Sequence, residues 1–210
     1  MNITLSRGAL TTGAVGGFLL GLSYLVLMLI TSGSRDPSAM EGYLYLYGPL
    51  ALVSSILLSV GAFASRKLFG GWQITAGIFA ILAGIGGAGT LLIPLLVEFN
   101  SGRDAVLVSI ISSSGTSLLF GLFASIANHK ATADGRKAPA IVASGWLYGL
   151  GALACGFGAK FALREDFEMF STLTLVATML MCAATISHAV GLLGLGREPA
   201  TAPRTATAST

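Results

Sequence analysis

Six long apolar stretches separated by short polar ones set the pattern of this chain, at about 9–30, 43–65, 71–97, 105–127, 139–163 and 169–195. The third, GWQITAGIFAILAGIGGAGTLLIPLLV from Gly71 to Val97, runs twenty-seven residues without a charge. At about 1.5 Å per residue a helix of that length crosses the roughly 30 Å hydrocarbon core of a bilayer with some tilt to spare. The pattern predicts an all-α polytopic membrane protein. Residues 1–196 form a bundle of six transmembrane helices, and residues 197–210 form a Pro/Thr/Ala tail with too little apolar surface to fold by itself. The first apolar run is too long for a signal-peptide core and reads as a retained span.

Small residues recur inside these stretches at helical spacing. Gly13, Gly17 and Gly21 repeat every four residues in span one. Ala76, Ala80, Ala83 and Gly87, with Gly84 beside them, line span three, and Gly145, Gly149, Ala152, Gly156 and Ala159 line span five. Such ridges let helix backbones approach closely, so they are read as packing surfaces, including surfaces for other membrane subunits. Polar signals mark the ends. Ser38 and Glu41 fit a capping box for span two, Asp104 is placed to cap span four, and Pro139 suits the first turn of span five. Tyr43, Tyr45 and Tyr47 read as an interfacial aromatic belt, with Pro49 bending the helix a turn later.

Composition agrees with the pattern. Only 10% of residues are charged and the mean hydropathy is +0.81, whereas a soluble domain carries about 25% charged residues. The net charge of +3 matters less than its distribution. With six spans and the N-terminus inside, the cytoplasmic segments hold eight basic residues (Arg7, Arg66, Lys67, Lys130, Arg136, Lys137, Arg197 and Arg204), against four outside (Arg35, Arg103, Lys160 and Arg164). This positive-inside bias predicts both termini in the cytoplasm, and the expected location is a bacterial inner membrane. A faint internal repeat relates Gly61–Ser65 to Gly121–Ser125, each followed after a basic loop by Gly-Trp at Gly71-Trp72 and Gly145-Trp146.

Candidate chemistry is sparse. No Asp, Glu, Lys or Arg lies near the middle of any span, and Lys160 can extend outward along its own stem. That pattern disfavours proton coupling through carboxylates. His188 is the one histidine inside a span and ends a stripe of Thr174, Thr178, Met181 and Thr185. It is a candidate axial ligand for a haem or a chlorophyll-type pigment, with small Gly191 one turn away leaving room for the ring; the competing reading is a neutral interior histidine hydrogen-bonded to the next helix. Ser109, Ser112, Ser113 and Thr116 on span four, with Thr174 and Thr178 on span six, form hydroxyl faces that suit a narrow polar path. The competing reading is hydroxyls bonded back to their own helix. Cys155 and Cys182 differ in membrane depth by roughly 10 Å, beyond disulfide reach. No nucleophile elbow, H-E-x-x-H, C-x-x-C or P-loop occurs, and nothing points to nucleic acid. The sequence therefore suggests a non-catalytic membrane subunit that packs in a larger assembly beside lipid and other subunits, with a small-solute channel or transporter as the alternative.

Overall fold

A computed structural model describes residues 6–33, 37–96, 102–130, 138–162, 164 and 166–197. These residues form six helices and no strand: α1 (Arg7–Gly33), α2 (Pro37–Phe69), α3 (Trp72–Leu96), α4 (Gly102–Lys130), α5 (Pro139–Ala162) and α6 (Phe167–Arg197). Five of them, α1, α2, α3, α5 and α6, are long and apolar enough to cross a membrane. The chain is thus an all-helical bundle of the membrane type. The tail beyond Arg197 lies outside the described residues.

Local chemistry sets the helix ends. The Ala9 amide donates to Ser6 Oγ (3.3 Å) at the start of α1, and the Met169 amide donates to Asp166 Oδ1 (3.1 Å) at the start of α6. Each side chain satisfies an amide that the first turn leaves without a helical partner. Helix α2 continues past Ser65, through Arg66 and Lys67, to Phe69, and stops where Gly70 takes φ 83°. A left-handed residue closes a helix, and only glycine takes that conformation without strain. The side chains of the expected caps of α2 and α4, Ser38, Glu41 and Asp104, lie outside the described residues. Helix α2 begins at Pro37 and α4 at Gly102, so the backbone of Ser38 and of Asp104 falls within first turns. Proline needs no amide partner at a helix start, which suits Pro37 to the first position of α2. Helix α2 runs unbroken through Pro49. The tyrosine belt also divides. Tyr45 is exposed and Tyr47 is buried, because residues two apart lie on opposite sides of a helix with 3.6 residues per turn. The side chain of Tyr43 lies outside the described residues.

The helices form a closed ring. Each packs on its neighbours in sequence, α1 packs on α6 to close the circle, and α2 also touches α4. The facing residues show every neighbouring pair to be antiparallel. Gly13 lies against Gly61 and Gly16 against Leu58 across α1 and α2, while Gly84 lies against Ser55 and Gly87 against Ala51 across α2 and α3. Gly17 meets Ala189 and Gly21 meets Ile186 across α1 and α6; Gly145 meets Asn128 and Gly149 meets Ser125 across α4 and α5; Gly156 touches Leu118 of α4. Ala76 and Ala80 are buried in the ring. The small residues of spans one, three and five are thus spent on contacts within the chain. The outward surface carries large apolar side chains such as Phe18, Leu22, Ile85, Leu82, Leu150 and Leu153. The two Gly-Trp segments occupy different surroundings: Gly77 faces Phe63 of α2, whereas its counterpart Gly151 faces Met181 of α6.

Candidate functional site

At the end of the ring that holds the start of α1 and the end of α6, four helices direct polar side chains inward. Gln73 stands in the first turn of α3, Asn128 near the end of α4, Ser144 five residues into α5 and His188 in the last third of α6. All four are buried, Asn128 and Ser144 completely. Asn128 is the hub. Its Oδ1 accepts from Gln73 Nε2 (3.2 Å), and its Nδ2 lies 2.9 Å from Ser144 Oγ and 3.0 Å from His188 Nδ1. Gly145 makes the approach possible, since a Cβ there would stand 3.1 Å from Asn128 Cβ.

The network fixes its own proton positions. Ser144 donates its single hydroxyl proton to the Ile141 carbonyl at 2.6 Å, so toward Asn128 it can only accept. Asn128 therefore turns its amide nitrogen to Ser144 and to His188, and its oxygen to Gln73. His188 Nδ1, facing an N–H donor, is an acceptor, and a neutral imidazole then carries its proton on Nε2. Gln73, having used its amide nitrogen, presents Oε1 as an acceptor. Tyr148, one turn along α5 from Ser144, joins the group. Its ring lies edge-on to Phe120 (5.1 Å between centroids) and 6.3 Å from the His188 ring. Gln73 Oε1, Tyr148 Oη and His188 Nε2 are buried without a hydrogen-bond partner in the protein. Gln73, Asn128, Tyr148 and His188, with Leu58, Ala62, Ala76, Ala80, Phe120 and Ala124, line a small, partly open and largely apolar space of about 10 Å³.

That space gives no support to a tetrapyrrole at His188. Cofactor pockets measure about 300–1,000 Å³, whereas the space beside His188 is at the lower limit for a single water. Gly191 opens no room for a ring, because Ile141 of α5 fills the position that its Cβ would take. The residues around His188 do not fit a haem or a chlorophyll-type pigment. Among the described residues no three His, Cys, Asp or Glu side chains gather as a metal site.

Only part of the two hydroxyl faces is described. Thr116 packs on Gly86 of α3, while Thr174 lies beside Gly158 of α5. Thr178 donates to the Thr174 carbonyl (2.7 Å) and Thr185 to the Cys182 carbonyl (2.9 Å). Ser23, Ser54, Ser59 and Ser65 likewise bond to carbonyls three residues back in their own helices. The side chains of Ser109, Ser112 and Ser113 lie outside the described residues. Cys155 and Cys182 are buried free thiols, and Cys182 Sγ lies 3.4 Å from the Gly21 carbonyl of α1.

Sequence reasoning singled out His188 but missed Gln73, Asn128, Ser144 and Tyr148. A signal was present. Gln73, Ala76 and Ala80 fall at i, i+3 and i+7, and Ala124 and Asn128 at i and i+4, so each amide continues a small-residue stripe that faces the ring interior. Both amides stand at span ends, where polar residues are expected on any reading. No protein-family model matches the chain, and neither curated proteins nor solved structures give a match.

Proposed function

We propose that the chain is a six-span integral membrane protein of a bacterial inner membrane, with both termini in the cytoplasm, serving as a non-catalytic subunit of a larger membrane assembly. The observation that carries this reading is the direction in which the chain spends its chemistry. Glycines and hydroxyls are used on its own helices, the interior space described is water-sized, and the outer face is broadly apolar. Such a molecule acts through its outer surface. Support for the sixth span comes from α4, which is 29 residues long and lies antiparallel between α3 and α5 in the same ring. The eight-to-four basic asymmetry supports the orientation. A solute path along the hydroxyl faces has less support, since Thr116 and Thr174 turn toward different helices.

Among the described residues, α5 presents an exposed apolar stripe: Trp146, Leu150, Leu153 and Phe157, all more than half exposed and at spacings of four, three and four. A photo-crosslinking residue at Leu153, compared with one at Leu22 of α1 and one at Ile85 of α3, tests the assembly role in native membranes. A discrete protein adduct from at least one face is expected. Lipid adducts alone from all three faces would overturn the reading. Single cysteines at Ser101 and Ala133, in a chain lacking Cys155 and Cys182, test the topology: external reagent should label only the first.

A further inference from the structure

We propose that the cluster of Gln73, Asn128, Ser144 and His188 is an acid-sensitive clasp, holding α3, α4, α5 and α6 together while the His188 imidazole is neutral and releasing this end of the ring when the imidazole takes up a proton. The inference is independent of the assembly role. Its basis is the direction of one hydrogen bond. Ser144 commits its hydroxyl proton to the Ile141 carbonyl, so the Asn128 amide nitrogen serves both Ser144 and His188 Nδ1. A second proton on the imidazole would occupy Nδ1 and set N–H against N–H across 3.0 Å. The contact that joins α4 to α6 then becomes repulsive.

Turning Asn128 over does not rescue the cluster. Its oxygen would then face His188, but its nitrogen would face Gln73 Nε2, so Gln73 must turn as well and the Ser144 proton must leave Ile141. Even after that rearrangement the imidazolium has no counter-charge. Among the described side chains the carboxylates are Asp166 and Glu168, both exposed at the opposite end of α6 and about 30 Å of helix or more from His188. Helices α3 and α4 offer it neutral amides, and α5 offers Ser144 and Tyr148, whose ring lies 6.3 Å away. Helix α2 lines the neighbouring space with Leu58 and Ala62, and α1 meets this part of α6 through Gly17 and Gly21. Arg7 and Arg66 are exposed cations at this end, and His129 lies edge-on to Trp146. None of these groups can neutralise an imidazolium. A buried charge without a partner is far costlier than the same charge in water, so the proton and the closed cluster exclude each other. By linkage the open form binds one more proton, and acid favours it.

The test uses the full chain in lipid bilayers, without Cys155 and Cys182 and with His129→Gln, which leaves His188 as the one histidine. Spin labels at Ile74 of α3 and Val190 of α6, both exposed, report the distance across this end of the ring. A second pair, at exposed Tyr45 of α2 and Met169 of α6, reports the opposite end. Lowering the pH from about 7.5 to about 4.5 should widen the first pair and leave the second unchanged. The ratio of open to closed rings should rise by up to about tenfold for each pH unit below about 6.5, the limit for one proton on an ordinary histidine. His188→Asn offers Asn128 an acceptor oxygen near the position of Nδ1 but cannot titrate, so it should remove the pH response. Asn128→Asp gives the imidazolium a carboxylate partner and should move the opening to lower pH. A first distance that ignores pH, a widening of both ends together, or a widening that His188→Asn retains overturns the proposal. So does an Asn128→Asp chain that opens at the same or a higher pH.

Discussion

Gly13→Ala places a methyl group where the α1 and α2 backbones touch. A Cβ on Gly13 would collide with the Cα of Gly61, and a Cβ on Gly61 would stand 2.7 Å from the Cα of Gly13. Backbone cannot swing aside as a side-chain end can, so the two helices must separate. Overpacking of this kind costs about 1–3 kcal/mol. Replacing glycine by alanine within a helix also returns up to about 1 kcal/mol through helix propensity, which blurs a comparison with wild type. Gly194 removes that difficulty. It lies on exposed α6 surface, and a Cβ there meets nothing within 4 Å. Gly194→Ala carries the same propensity gain without the collision. The difference between the two variants therefore reports the collision alone, about 1–3 kcal/mol, or roughly tenfold in the unfolding equilibrium for each 1.4 kcal/mol. Titration with SDS in mixed micelles, followed by the fluorescence of Trp72 and Trp146, measures it. The double variant Gly13→Ala/Gly61→Ala should cost less than the sum of its parts, since the second methyl enters a gap that the first has opened. Equal stability of Gly13→Ala and Gly194→Ala would refute the close α1–α2 crossing.

Three further outcomes are expected. Asn128→Ala removes the hub of the polar cluster and leaves Gln73, Ser144 and His188 each short of a partner, so the same titration should show a loss of about 1–3 kcal/mol or more. Gly70→Ala, at φ 83°, should lose about 1–2 kcal/mol, whereas Gly71→Ala, with open space around its Cβ, should be nearly neutral in the same assay. The purified protein should show no Soret or chlorophyll band, and His188→Leu should leave its absorption spectrum unchanged; a band in the wild type lost in the variant would contradict the geometry around His188.

The sequence by itself determined the number of long helices and the approximate place of each, because apolar run length and the scarcity of charge are local properties of a chain in lipid. Pro139 opens α5 as its position implies, and the small-residue spacings mark faces that touch other helices. Ends were less legible: α2 runs on to Gly70 because a left-handed glycine stops it, and Ser38 sits inside a turn that Pro37 begins. Tertiary structure alone decided what the small faces touch. A ridge such as Gly13, Gly17 and Gly21 suits a partner subunit or a neighbouring helix equally well, and the closure of α1 against α6 settles it as internal. The same holds for the polar cluster. Gln73, Asn128, Ser144 and His188 are separated along the chain by 55, 16 and 44 residues, and each alone is an ordinary polar residue in an apolar helix. Their meaning depends on antiparallel register around a closed ring, which brings four helix faces to one depth, and no local pattern encodes that register.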